Sequence, residues 1–105
     1  MATNNFGTPI TATATASGNA TATITGVAGV TFYVTDVSGS SDLAGATIQV
    51  KDGSTVIWQD RVSNTAPVSY QFSTPLRCTM GNNLVVVVTG TSYGAANVSG
   101  FSITP

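Results

Sequence analysis

The chain has 105 residues, 42% hydrophobic, 8% aromatic and 7% charged, with a formal net charge of −1. Such a length supports one domain with a modest core, the apolar content excludes a disordered chain, and charge far below the usual quarter of residues leaves Ser, Thr, Asn and Gln to build the polar surface. Three cations, Lys51, Arg61 and Arg77, cannot make the basic stripe that neutralises phosphates, which excludes nucleic acid as a partner.

Period-two alternation bounded by Gly, Asn, Asp and Pro runs through the chain, and no stretch shows helical spacing with caps. After an N-terminal arm over 1–7, the spacing predicts strands over 8–16, 20–26, 30–37, 46–50, 54–62, 67–73, 84–90 and 95–103. The expected fold is all-β: a single domain over 1–105, a two-sheet sandwich of about eight antiparallel strands, immunoglobulin-like or jelly roll.

The first two strands, "ITATATASGNATATIT", alternate Thr with small or apolar residues around Ser17-Gly18-Asn19. Read as a hairpin with a three-residue loop, they pair Ala16 with Ala20, Ala14 with Ala22 and Ala12 with Ile24 on an inward face. Thr15 with Thr21, Thr13 with Thr23 and Thr11 with Thr25 then pair on the outward face. In the third strand Val30, Phe32 and Val34 are the inward set, with Thr31, Tyr33 and Thr35 outward.

A second three-residue loop, Lys51-Asp52-Gly53, pairs Val50 with Ser54, Ile48 with Val56 and Ala46 with Trp58, leaving Ile57 outward beside Thr47 and Gln49. Val68, Tyr70 and Phe72 alternate with Ser69, Gln71 and Ser73 and offer one core face. "LVVVV" over 84–88 is apolar on both sides, so Val85 and Val87 are expected to be covered by something. In the last strand a bulge near Ser99-Gly100 is expected, turning Phe101 and Ile103 to the side of Ala96 and Val98.

Chemistry has few candidates. His and Glu are absent, and Cys78 is the one cysteine; neither a Cys-His pair nor a G-x-S-x-G turn is present, so no catalytic residue, cofactor or zinc site is expected and Cys78 reads as structural. "TDVSGSSD" brings Asp36 and Asp42 into one oxygen-rich stretch, a calcium alternative that fits no EF-hand spacing and equally describes an ordinary loop. Tyr33 and Tyr93 are the aromatics left over for stacking on a sugar. "NAT" at 19–21 and "NVS" at 97–99 match the glycosylation pattern by chance in a Ser/Thr-rich chain. The longest apolar run is too short to span a membrane, and nothing at the N-terminus reads as a signal peptide, so a membrane partner and export are not expected.

Scarce charge instead points to faces sheltered by neighbours. The candidate protein-contact face comprises Thr11, Thr13, Thr15, Thr21, Thr23, Thr25, Gln49, Ile57, Val85 and Val87.

The block "VKDGSTVIWQDRVSNTAPVSYQFSTPLRCTMGNNLVVVVTG", residues 50–90, resembles small β-sandwich virion proteins of tailed bacteriophages. There a "KDGSTVIW" hairpin is followed by "F-x-x-PLR" and a valine-rich strand ending in Thr-Gly; Cys78-Thr79-Met80 departs as a less polar link. The resemblance implies a non-enzymatic virion structural protein of the capsid decoration or cement type, located in the virion after synthesis in the host cytoplasm. Its partners would be the major capsid protein or another virion protein, together with copies of itself. A carbohydrate-binding β-sandwich module is the alternative reading, and an ice-binding protein, suggested by the Thr-x-Thr arrays, is the third.

Overall fold

The structure, a computed structural model, describes residues 7–104. Of the arm expected over 1–7, residues 1–6 lie outside the described residues. The described chain forms eight strands, β1 (Thr8–Ala16), β2 (Ala20–Ile24), β3 (Thr31–Ser41), β4 (Thr47–Asp52), β5 (Thr55–Arg61), β6 (Val68–Arg77), β7 (Leu84–Val88) and β8 (Gly94–Ile103). Each expected strand is present, with β3 running four residues further because Asp36 to Ser41 continue pairing, and β6 because Leu76 and Arg77 pair with Val34 and Tyr33 beyond an irregularity that leaves 72–75 out of the ladder.

The strands form two antiparallel sheets of four, a first sheet in the order β1-β8-β3-β6 and a second in the order β2-β7-β4-β5. β1 pairs with β8, β2 with β7, β3 with β6 and β4 with β5. That nested pairing, a long hairpin of strand pairs wrapped into two sheets, is the jelly roll rather than the immunoglobulin-like arrangement.

The core lies between the sheets. Val34, Ile48, Val50, Leu84, Val86, Val88 and Ala96 are fully buried, as are Ala20 and Cys78. Of the inward set expected on the third strand, Phe32 and Val34 are buried and Val30 packs half-buried just before β3, while Thr31, expected outward, is also buried. Each large member contributes ~1.5–3 kcal/mol by leaving water.

Three expectations of register are corrected. β1 and β2 do not pair with each other; they are the edge strands of opposite sheets. The link through Gly18 is pressed so tightly over the sandwich edge that an added Cβ on Gly94 would lie 2.4 Å from the Gly18 carbonyl oxygen. Splitting the strands gives each sheet its fourth member, and their alanines, Ala20 and Ala22 buried and Ala12, Ala14 and Ala16 packed against the core, let the sheets close at this edge.

In the β4–β5 hairpin the ladder runs Gln49 to Gln59, Val50 to Trp58, Lys51 to Val56 and Asp52 to Thr55, with a bulge at Ile57. The loop is thus Gly53-Ser54, with Gly53 at φ +63, the conformation for which glycine is suited. The bulge turns Trp58 inward and leaves Val56 outward, 43% exposed, against its expected inward place.

The third correction concerns β8, which has no bulge. The irregularity falls in β3, between Val34 and Asp36. Gly100 lies so close to β3 that a Cβ would sit 1.9 Å from the Tyr33 carbonyl oxygen, so the strand passes straight and Phe101 and Ile103 keep the outward side. Phe101 stacks on Tyr33 there, and Ile103 is 38% exposed.

Candidate functional site

With the core filled from both sheets, the two outer faces present the chain's remaining chemistry. On the second sheet the register aligns Thr21, Val87, Gln49 and Gln59 in one row and Thr23, Val85, Lys51 and Val56 in the next. Gln49 Nε2 donates to Gln59 Oε1 at 3.0 Å, tying β4 to β5 across this face. Thr47 lies opposite Arg61 in the adjoining row. Val85 and Val87, in a central strand, are half-buried, and no strand of the described residues crosses over them, since all eight belong to the two sheets.

Five of the expected contact residues, Thr21, Thr23, Gln49, Val85 and Val87, thus share one face. Ile57 stands at its margin on the β5 bulge, 36% exposed; it is not beside Gln49, whose cross-strand neighbour is Gln59. Thr25 is exposed just beyond the end of β2. Thr11, Thr13 and Thr15 are exposed too, but on the first sheet. The expected cross-strand threonine pairs are therefore absent, and with them the two-strand array that suggested ice binding.

The outer face of the first sheet is a different surface. Its rows read Thr13, Asn97, Ser38 and Ser69; Thr11, Ser99, Asp36 and Gln71; and Pro9, Phe101, Tyr33 and Arg77. A cavity of about 60 Å³ opens among Asp36, Ser38, Ser69, Asn97 and Ser99, floored by Val37 and Val98. One row away, the Tyr33 and Phe101 rings stack with centroids 5.0 Å apart and planes 11° apart.

The four carboxylates are used unequally. Asp42 accepts the backbone N–H groups of Thr91, Ser92 and Tyr93 at 3.0, 2.8 and 3.1 Å. Those bonds, the Thr91 and Ser92 N–H first, hold Asp42 below the usual carboxylate range. Asp52 accepts from Thr79 N, Thr79 Oγ1 and Asn82 Nδ2. Burial pushes Asp52 up, but these hydrogen bonds outweigh it and leave its pKa lowered. Asp60 accepts the Arg61 N–H at 2.7 Å. Among the described residues Asp36 alone has no hydrogen bond to its carboxylate.

Several candidates separate on this geometry. Asp36 lies within β3 on the outer face, whereas Asp42 follows the strand's end and closes the 91–93 turn; six extended residues set them roughly 20 Å apart, so they do not form one calcium site. Tyr33 and Tyr93 lie toward opposite ends of β3, since Asp42 N donates to Tyr93 O, and a two-tyrosine platform does not form. The ring partner of Tyr33 is Phe101, which the assumed β8 bulge had turned inward; simple alternation through Asn97, Ser99 and Phe101 was the signal for its place. Cys78 is fully buried, and desolvation, with a smaller effect from the Asp52 carboxylate, pushes its thiol up to about 11, the opposite of an activated nucleophile.

No protein-family model matches the chain, and no curated protein matches it. Among solved structures it is similar to a carbohydrate-binding module, CBM36, in complex with calcium and xylotriose, at 11% identity and a TM-score of 0.42, over 83% of this chain and 72% of that one. A likeness at this level assigns neither a family nor a ligand.

Proposed function

We propose that the chain is a non-enzymatic structural protein of a bacteriophage particle, docking on the head shell through the outer face of its second sheet. One observation carries the reading: a central strand, β7, whose Val85 and Val87 face outward and stay only half-buried, with no strand of the described residues above them. Val87 is flanked by uncharged Thr21 and Gln49, which cost less to dehydrate than charges, and Val85 by Thr23 and Lys51. Val56 and Ile57 extend the aliphatic area toward the β5 edge. Lys51 and Arg61 are the charges on this face, so the matching surface is neutral or acidic.

The resemblance of residues 50–90 to small virion proteins supplies the particle context, with the major capsid protein or another virion protein as partner and copies of the chain beside one another. Each copy buries a modest area, and repetition over a lattice turns weak contacts into a durable layer. Mass spectrometry of purified particles of the phage that encodes the chain tests this directly. A stoichiometric copy number is expected; its absence from intact particles overturns the assignment.

A further inference from the structure

We propose that the outer face of the first sheet binds a neutral oligosaccharide, at the cavity around Asp36 and Asn97 with the Tyr33–Phe101 stack beside it. A carboxylate in mid-strand is disfavoured on propensity, and folding does nothing to offset Asp36. Asp42, Asp52 and Asp60 accept hydrogen bonds from the chain, while Asp36 accepts none from the described residues, and its cross-strand neighbours are Ser99 and Gln71 rather than a cation.

The side chains of Ser38, Ser69 and Asn97 likewise make no hydrogen bond within the described chain and surround the same cavity. Hydroxyls that donate once and accept twice, an amide that does both and a carboxylate that only accepts are the set that vicinal sugar hydroxyls satisfy. Short serines around longer Asp36 and Asn97 leave the depression into which such hydroxyls reach.

Two further features narrow the ligand. The half-buried Tyr33–Phe101 stack supplies apolar ring surface for the C–H side of a sugar unit, as aromatic side chains with one wet flank do. Arg77, at the end of the aromatic row, is the face's one cation, so phosphate, sulfate and nucleic acid lack the charge they need. The rows and strands involved span roughly 14 Å in each direction, enough for a short oligosaccharide rather than one sugar unit.

The test is an amide chemical-shift titration of the isotopically labelled full chain with cellotriose, with tri-N-acetylchitotriose and with a sialylated trisaccharide. Shifts confined to Tyr33, Asp36, Ser38, Asn97, Ser99 and Phe101 are expected with a neutral probe, at a dissociation constant of about 1 mM or tighter. Asn97→Ala and Asp36→Asn each weaken binding about tenfold without changing the melting temperature, since neither side chain is bonded within the fold. Val87→Lys, on the opposite face, leaves saccharide binding intact, so this result is read independently of shell docking. No shift with either neutral probe at about 10 mM, a response to the sialylated probe alone, or shifts mapping to another surface overturns the proposal.

Discussion

Asp42 and Asp52 each tie together segments far apart in sequence, and they do so at opposite ends of the sandwich. Asp42 caps the turn between β7 and β8, and Asp52 fastens the β6–β7 connection to the β4–β5 hairpin. Both carboxyl groups titrate below the usual carboxylate range, so the folded state prefers the ionised form. Their contribution is complete above the unfolded-state pKa and is lost as pH falls through the depressed folded values. The urea midpoint should therefore hold steady from neutrality to about pH 5 and fall below about pH 4. Asp42→Asn with Asp52→Asn should lower the neutral-pH midpoint and flatten the acid limb; an unchanged acid limb would show that these carboxylates do not control it. Sequence reading located both residues but not these roles, because their partners lie 27 to 51 positions away and become neighbours through the wrapping of the sheets.

The edge between β5 and β6 depends on one aromatic group. Trp58 meets Tyr70 and Phe72 edge-on, at centroid distances of 4.9 and 5.1 Å, and is the half-buried residue of an otherwise exposed β5. Tyr70 also donates its hydroxyl to the Arg61 carbonyl at 3.2 Å, so the cluster bridges the two sheets where no strand does. Trp58→Ala should cost about 2–3 kcal/mol, below the range for a fully buried Trp because the site is partly wet. Ile57→Ala, on the outer bulge, should stay within about 0.5 kcal/mol; urea unfolding compares the two, and equal losses would refute the bridging role. Strand existence and most inward sets were legible because Val34 and Val50 alternate with more polar neighbours in a period a sheet enforces. Register was not. Trp58 reaches the core side through a bulge that local alternation does not encode, Gly100 acts through its closeness to the Tyr33 carbonyl, and equal alternation in β1 and β2 is compatible with one sheet or two.

For the whole molecule, the consequence of low charge depends on which face carries which chemistry. The jelly roll sets an aliphatic-centred face on the second sheet and a hydroxyl, amide and carboxylate face on the first, with the core between them. A chain sheltered by neighbours on every side would need no such asymmetry, whereas one that docks by one face and meets solutes with the other would. Val87→Lys separates these possibilities. Its side chain already lies on the outer surface between Thr21 and Gln49, so the Lys ammonium extends into water and the fold survives, with a stability change of about 1 kcal/mol or less. The same ammonium would have to be buried on docking against a shell, and an unpaired charge at the centre of a contact typically costs several kcal/mol. Particles lacking the native protein, incubated with each form and sedimented, should retain the native chain and release the variant. Retention of a correctly folded Val87→Lys chain at native copy number would move the docking surface off the second sheet, whatever the first sheet binds.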